Sequence, residues 1–359
     1  MGFNADSSFI LQDTEHRPKP AISDAGSIPL VDLSPLLATP IPDGVDEAPP
    51  ALSGLVEQVE AACRGWGFFQ VINHGVPIEL LERVQAAARG FFVLPSEEKR
   101  RVIRDEENPL GYYDAEHTRN VRDWIEVFDF TLEEPAVVPA STEPGDRRLQ
   151  EIWNQWPAYP PDFREACKEY AKGLEKLAYK LLELIALTLK LPAKKLNKFF
   201  KDSTSFIRLN HYPPCPSPHL ALGINPHKDA VALTILAQDE VGGLDVKRKS
   251  DGEWVRVEPT PHSYIINVGD IIQVWSNDRY ESIEHRVSVN SEKGRFSIPF
   301  FFNPAQDTMV KPLEELVSED DPARYHEFNW GKFYKTRRFS NFRKLAVENI
   351  QIYHFRNTQ

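Results

Sequence analysis

The stretch "INPHKDAVALTILAQDEVGGLDV" (Ile224–Val246) sets His227 and Asp229 two positions apart, immediately ahead of an apolar run. In extended backbone, residues i and i+2 project to the same side, so the imidazole and the carboxylate reach one point while Lys228 points away. His285, in "ESIEHRVSV" 56 residues after Asp229 and at the head of another strand-like segment, supplies a third group. Two imidazoles and one carboxylate on one face of a metal leave three positions open, the arrangement used by non-heme Fe(II) sites. Taken alone, a His-x-Asp tripeptide reads far more readily as side chains satisfying core hydrogen bonds.

A second i, i+2 pair lies ten residues after His285. Arg295 and Ser297 sit in "RFSIPFFFNP", a segment otherwise made of aromatic and aliphatic residues. A guanidinium buried there needs an anionic partner, because an unpaired buried charge costs several kcal/mol, roughly. The neighbouring sequence offers no obvious carboxylate. A ligand's carboxylate, gripped by the Arg fork and the Ser hydroxyl, resolves the conflict.

The surroundings read as a sheet. Between Ser205 and Pro304, eight segments, "SFIRLNHY", "ALTILAQ", "GLDVKR", "EWVRVEP", "SYIINVG", "IIQVWSN", "HRVSVN" and "RFSIPFFFNP", are separated by Gly, Asp, Asn and Pro turns. This pattern predicts a closed double sheet of the jelly-roll kind. From Asp162 to Leu191, apolar residues recur every three or four positions, which predicts a long amphipathic helix seeking a partner surface. Further upstream, "IPLVDLSPLL" (Ile28–Leu37) is a short strand signal, "LVEQVEAACRGWGFFQVINHG" passes from helix to strand, and "VPIELLERVQAAARGFFVL" is a second amphipathic helix. Ser96, followed by Glu97 and Glu98, reads as an N-cap with an acidic first turn. The fold class is therefore α+β. The chain divides into a polar tail over 1–26, an N-terminal region over 27–150, a supporting helix over 151–201, the jelly-roll core over 202–304 and a C-terminal helical segment over 305–359, expected to fold back as a lid.

Composition narrows the partners. The 359 residues carry a formal net charge of −11, which argues against nucleic acid, whose affinity comes from clustered Lys and Arg. Basic runs at Lys99–Arg101 and Lys194–Lys198 are read as solvated helix faces. Three cysteines at wide spacing, Cys63, Cys167 and Cys215, suggest neither a disulfide framework nor a thiolate zinc site and fit a reducing compartment. No run is apolar enough for a membrane span, and the N-terminus lacks a signal-peptide core. A cytoplasmic monomer acting on a small molecule is the expectation.

Taken together, His227-x-Asp229, His285 and Arg295-x-Ser297 resemble the motif set of the plant 2-oxoglutarate and Fe(II)-dependent dioxygenases, the group of flavonol synthase, anthocyanidin synthase and gibberellin oxidases. "GWGFFQVINHGVP", "RDWIEVFDF", "RLNHYPPCP" and "INVGDIIQVWSND" extend the likeness over most of the chain. The resemblance implies that His227, Asp229 and His285 bind Fe(II). It further implies that Arg295, Ser297 and Tyr212 hold the distal carboxylate of 2-oxoglutarate, with Asn210 near the iron. The implied reaction consumes dioxygen and 2-oxoglutarate, with ascorbate as reductant. It releases succinate and CO2 while hydroxylating or desaturating a small plant metabolite or hormone.

By the same resemblance Val127, Asp129, Arg208, Phe301 and Asn303 would be substrate contacts. Arg208 could meet an acidic group, or pair with Asp129. Related flavonoid enzymes carry aromatic residues where Val127 and Asp129 stand, which weighs against a flavonoid substrate. Three alternatives stay open at this stage: a same-fold iron oxygenase that does not use 2-oxoglutarate, a non-catalytic small-molecule binding protein, and a zinc hydrolase. The "NWGKFYKTRRFSNFRKLAVENIQIYHF" segment predicts a helix over the pocket mouth with Phe339, Phe342 and Leu345 inward and its Arg and Lys residues in water.

Overall fold

The computed structural model describes residues 8–9, 28–42, 45, 47–342 and 345–357. The expected polar tail therefore lies almost wholly outside the described residues. Its exceptions are Ser8 and Phe9, the latter buried with its ring 4.9 Å from that of Trp124.

The N-terminal region supplies β1 (Leu30–Asp32), α1 (Ser34–Ala38), α2 (Ser53–Gly65), β2 (Phe68–Ile72), α3 (Ile78–Phe92) and α4 (Ser96–Arg100). It continues through β3 (Gly111–Tyr113), the small hairpin β4 (His117–Thr118) and β5 (Val121–Arg122), then β6 (Glu126–Thr131), β7 (Ala136–Pro139) and β8 (Leu149–Ile152). After α5 (Phe163–Thr188) come β9 (Phe206–Tyr212), β10 (Leu222–His227), β11 (Leu233–Gln238), β12 (Leu244–Lys247), β13 (Trp254–Arg256) and β14 (Tyr264–Val268). The chain closes with α6 (Asp270–Trp275), β15 (His285–Ser288), β16 (Arg295–Phe302) and α7 (Trp330–Phe342).

Two sheets form the jelly roll. The larger runs β1-β2-β14-β11-β16-β9-β6-β3 and the smaller β10-β15-β12-β13. Apart from the parallel β1–β2 pair, every ladder between them is antiparallel. The N-terminal region is thus no separate domain: β2 hydrogen-bonds to β14, and β6 to β9, so its strands extend the major sheet at both edges. Helix α5 packs against α2 and α3 and backs strands β11 and β16. Its inward stripe, from Phe163 through Leu174 and Leu181 to Ile185, is fully buried, which is what the helical period demanded.

Four expectations need correction. "IIQVWSN" is helical from Asp270 to Trp275 rather than a strand; all six residues are buried, so neither period is written in the sequence. Conversely Leu222–His227 is a strand, and His227 is its last residue, so Asp229 lies in the following loop. Ser96 does not cap α4 with its side chain: Pro95 occupies the preceding position and Ser96 Oγ instead accepts from Arg100 Nε at 3.2 Å. Lys99 is not on a solvated face. It is buried and donates to Glu126 and to the Phe92 carbonyl.

Candidate active site

Antiparallel register brings the metal-type ligands together. His227 at the end of β10 is the direct cross-strand partner of His285 at the start of β15, and their ring centroids are 4.2 Å apart. Asp229 follows on the loop, with Oδ1 3.6 Å from Nε2 of each imidazole. Both rings give their other nitrogen to a backbone carbonyl two residues earlier: His227 Nδ1 to Asn225 at 2.9 Å and His285 Nδ1 to Ile283 at 3.1 Å. This leaves both Nε2 lone pairs facing the carboxylate, the tautomer a metal requires. Asp229 Oδ2 accepts from Thr234 Oγ1 at 2.7 Å and from Asn267 Nδ2 at 2.9 Å, so Oδ1 faces the imidazoles alone.

Electrostatics favour the same state. Burial, then the neighbouring His285, push His227 down to about 3. Burial works to raise Asp229, but His285, His227 and its two hydrogen bonds hold it below the usual carboxylate range. Two imidazoles and an ionised carboxylate converge with Nε2 and Oδ1 pointing inward, a donor set that fits a divalent cation. Gly269 seats the loop. A Cβ there would lie 2.1 Å from the Val231 carbonyl oxygen, and the next residue's N–H donates to the Asp229 carbonyl at 2.8 Å.

The cationic clamp is built from one line of cross-strand partners. Ser297 on β16 faces Gln238 on β11 and Asn210 on β9, and Arg295 faces Tyr212. Arg295 is buried and donates to Ser297 Oγ at 3.1 Å and to Gln238 Oε1 at 3.1 Å, its guanidinium carbon lying 4.9 Å from the centre of the Tyr212 ring. Asn210 Nδ2 completes the set by donating to Ser297 Oγ at 3.2 Å. Among the described residues no carboxylate forms an ion pair with Arg295, and its Nε has no partner. A buried guanidinium with spare donors suits the carboxylate of a small diacid. Tyr212 keeps its proton, since burial pushes it up despite the nearby Arg295. Gly223 leaves room for its ring, because a Cβ there would come within 2.6 Å of it.

A cavity of about 640 Å³ joins the two clusters, lined by His227, Asp229, His285, Arg295, Ser297, Asn210 and Tyr212 and, further out, by Arg208 and Phe301. Val127, Asp129 and Asn303 do not line it; all three are fully buried. Asn303 is tied to Thr204 and Ser205, while Asp129 is clasped by Arg208 through bonds of 2.7 and 2.8 Å and also by Arg104. Around that clasp, Glu116 pairs with Arg104 and with Arg208 at 3.2 Å, and Arg338 approaches Asp129 at 3.8 Å.

Arg338 corrects the reading of the C-terminal helix. Its aromatic residues do turn inward, with Phe342 5.2 Å from Tyr113, but so do two of its arginines. Arg338 reaches β6, and Arg337 donates to the Lys228 carbonyl at 3.4 Å beside the ligand loop. Leu345 lies past the helix end, where its backbone exchanges two hydrogen bonds with the Asn120 side chain at 2.8 and 3.1 Å. Sequence reasoning missed Arg337, Arg338, Gln238, Thr234 and Asn267. Of these, Thr234, Gln238 and Asn267 carried a signal, being polar residues in otherwise apolar strands.

Known proteins match this arrangement. The 2OG-Fe(II) oxygenase superfamily model matches residues 203–304, and the model for the N-terminal region of non-haem dioxygenases in morphine synthesis matches residues 28–159. Jasmonate-induced oxygenase 2 of Arabidopsis thaliana is 36% identical over 315 residues, 86% of this chain and 78% of the relative. Protein DMR6-LIKE OXYGENASE 2 of the same plant is 34% identical over 332 residues, 91% of this chain and 88% of the relative. The crystal structure of JOX2 in complex with 2OG, Fe and JA aligns with TM-score 0.77 at 33% identity, covering 92% of this chain and 88% of that one. The dioxygenase for auxin oxidation from rice aligns with TM-score 0.68 at 27% identity, covering 92% and 100%.

The chain belongs to the 2OG-Fe(II) oxygenase superfamily. It is an Fe(II)- and 2-oxoglutarate-dependent oxidoreductase with the double-stranded β-helix core that the sequence led us to expect.

Proposed function

We propose that this dioxygenase oxidises a small organic carboxylic acid, and that His227, Asp229 and His285 hold its iron. Iron bound there would supply the site for dioxygen activation during decarboxylation of 2-oxoglutarate, with ascorbate keeping the metal reduced. The chain's own residues do the rest. Arg295 and Ser297 take the distal carboxylate of 2-oxoglutarate, with the Tyr212 hydroxyl beside them, so the cosubstrate enters in one orientation. Thr234 and Asn267 fix the Asp229 carboxylate, and the Asn225 and Ile283 carbonyls fix the two imidazole rings. Phe301 offers a flat apolar wall to the substrate.

The observation that carries the substrate class is the charge inventory at the outer cavity. Three guanidiniums, Arg104, Arg208 and Arg338, meet two carboxylates, Asp129 and Glu116, within ion-pair distance, so this directly paired cluster carries one formal positive charge in excess in a largely buried setting, with Asp123 the next carboxyl toward Arg208. Arg337 also lines the cavity, with Asp270 and Asp229 as the acids acting on it. A substrate carboxylate would neutralise the excess. The solved relative bound to JA and the auxin-oxidising relative support this reading.

The test incubates purified protein with Fe(II), ascorbate and 2-oxoglutarate against phenolic, terpenoid and indolic acids, each beside its methyl ester. Succinate release with a product gaining one oxygen or losing two hydrogens, for acids and not esters, is the expected result. Equal turnover of acid and ester overturns the substrate class. We further propose that the protein works as a cytoplasmic monomer, which its three free, buried cysteines support, and that the segment 305–359 closes the cavity mouth as a lid. No described helix is long and apolar enough to cross a membrane.

A further inference from the structure

Asp123 is a buried carboxylate that the reaction itself does not call for. It precedes Trp124 on the approach to β6 and is 2% exposed. No ion pair to it is found among the described residues; its acceptor capacity goes instead to neutral donors. Oδ1 accepts from the backbone N–H of Asn225 at 2.9 Å and from the same residue's Nδ2 at 2.7 Å, and Oδ2 accepts from Thr118 Oγ1 at 2.7 Å. The neighbouring Trp124 is tied to the same strand by its N–H, which donates to the Leu222 carbonyl at 3.0 Å, while its indole N–H donates to the Pro213 carbonyl just past β9 at 2.9 Å. The β10 backbone from Leu222 to Asn225 is thus held from outside its own ladder. Its pairing with β15 is irregular there, with register shifts between Leu222 and Ile224 and between Ile224 and His227. Where the ladder fails to fix the peptide planes, Asp123 fixes one of them.

Anchoring Asn225 through both its N–H and its side chain matters because the carbonyl of the same residue, in the peptide plane that follows, accepts the hydrogen bond from His227 Nδ1. The chain of contacts runs Asp123 carboxylate, Asn225 side chain and peptide, His227 imidazole. We propose that Asp123 is a positioning residue for the metal: by locking Asn225 it sets the orientation and tautomer of His227, and so the aim of Nε2. The proposal rests on the reading that His227 is an iron ligand. A carboxylate suits the task because one oxygen can receive two donors from Asn225 while the other holds Thr118. An amide of the same shape can do so too: its oxygen keeps both Asn225 donors and its NH2 donates to the Thr118 hydroxyl. Alanine cannot.

The experiment titrates the metal-free full-length protein with Co(II), reading visible absorbance, and anaerobically with Fe(II), for wild type, Asp123→Ala, Asp123→Asn and His227→Ala. Circular dichroism verifies folding. Asp123→Ala should bind about tenfold more weakly, the lower end for loss of a partner behind a ligand, and show an altered Co(II) spectrum. Asp123→Asn should restore both affinity and spectrum to near wild type. A folded Asp123→Ala with unchanged affinity and spectrum overturns the proposal, as does Asp123→Asn failing as badly as alanine, which would point to charge rather than orientation. Should Asp123→Ala not fold, Asn225→Ala is read in its place. It removes one of the two donors, so weaker Co(II) binding supports the assignment and unchanged binding overturns it. If His227→Ala itself binds metal like wild type, it is the ligand assignment that falls.

Discussion

Asn267 on β14 donates its side-chain amide to Asp229 Oδ2 at 2.9 Å, reaching across from a strand that carries no ligand. With Thr234 it occupies the oxygen turned away from the imidazoles and so presents the other one to the metal site. Asn267→Leu should weaken Fe(II) or Co(II) binding about 10- to 100-fold, the range for partners that orient a ligating carboxylate. Metal titration monitored by absorbance checks this, and an unchanged isotherm would refute it.

Arg295 makes charge-assisted contacts in a buried setting, each worth about 1.5–3 kcal/mol. Truncation to alanine should raise the KM for 2-oxoglutarate by about 10- to 100-fold, since about 1.4 kcal/mol is a factor of ten. Arg295→Lys should recover only part of it, because a lysine cannot reproduce the fork. Succinate release as a function of 2-oxoglutarate concentration measures both.

The Arg208–Asp129 clasp is inside the protein and doubly hydrogen-bonded. Arg208→Ala leaves the carboxylate to Arg104 and the more distant Arg338 and should cost about 3–5 kcal/mol of folding stability, as for breaking a buried pair. Denaturant titration gives the number. If Arg208 also meets the substrate acid, its loss raises substrate KM at temperatures where the variant is still folded.

Acid should unpick that clasp. Burial by itself would raise Asp129, yet Arg208 and Arg104 hold it below the usual carboxylate range. A carboxyl depressed on folding stabilises fully above its unfolded value of about 3.9, and that contribution disappears as pH falls through the lower folded value. Melting temperature should therefore drop steeply below about pH 4 in the wild type. In Asp129→Asn the protein should be less stable at neutral pH, with a shallower acid limb.

Gly269→Ala should destabilise by about 1–3 kcal/mol, as overpacking does, because the added methyl meets a backbone carbonyl rather than a side chain able to rotate away. The displaced strand end carries the loop of Asp229, so metal affinity should fall together with the melting temperature. A variant with native metal affinity would show that the loop is seated otherwise.

The convergence of His227, Asp229 and His285 and the burial of Arg295 beside Ser297 were legible because short-range rules point to them: two i, i+2 pairs, one at the end of β10 and one at the start of β16, and an Arg in an apolar segment without a local acid. His285 needed only the strand pattern around it. What stayed hidden depends on long-range placement. Asp270–Trp275 is buried on every side, its polar residues Asp270 and Gln273 included, so its period could not be read. Lys99, in the run "EEKRR", has the look of solvent-facing charge, yet Glu126 on a distant strand draws it inward. Asp129 and Arg208 were visible as a possible pair, but Arg104 and Arg338, which decide how many charges are left over in that cluster, are more than two hundred residues apart in the chain. The inward turn of Arg337 and Arg338 could not be foreseen from a helix whose basic and aromatic residues alternate without a clear face.

That α7 carries Arg337 and Arg338 has a bearing on how new specificities arise. The reactive centre is embedded in ladders whose register tolerates little change, whereas these two cations hang on an appended helix outside both sheets. Grafting residues 330–357 from a homologue with different preferences would exchange the reading head while sparing the machinery beneath it, so diversification of this scaffold can proceed at its trailing edge.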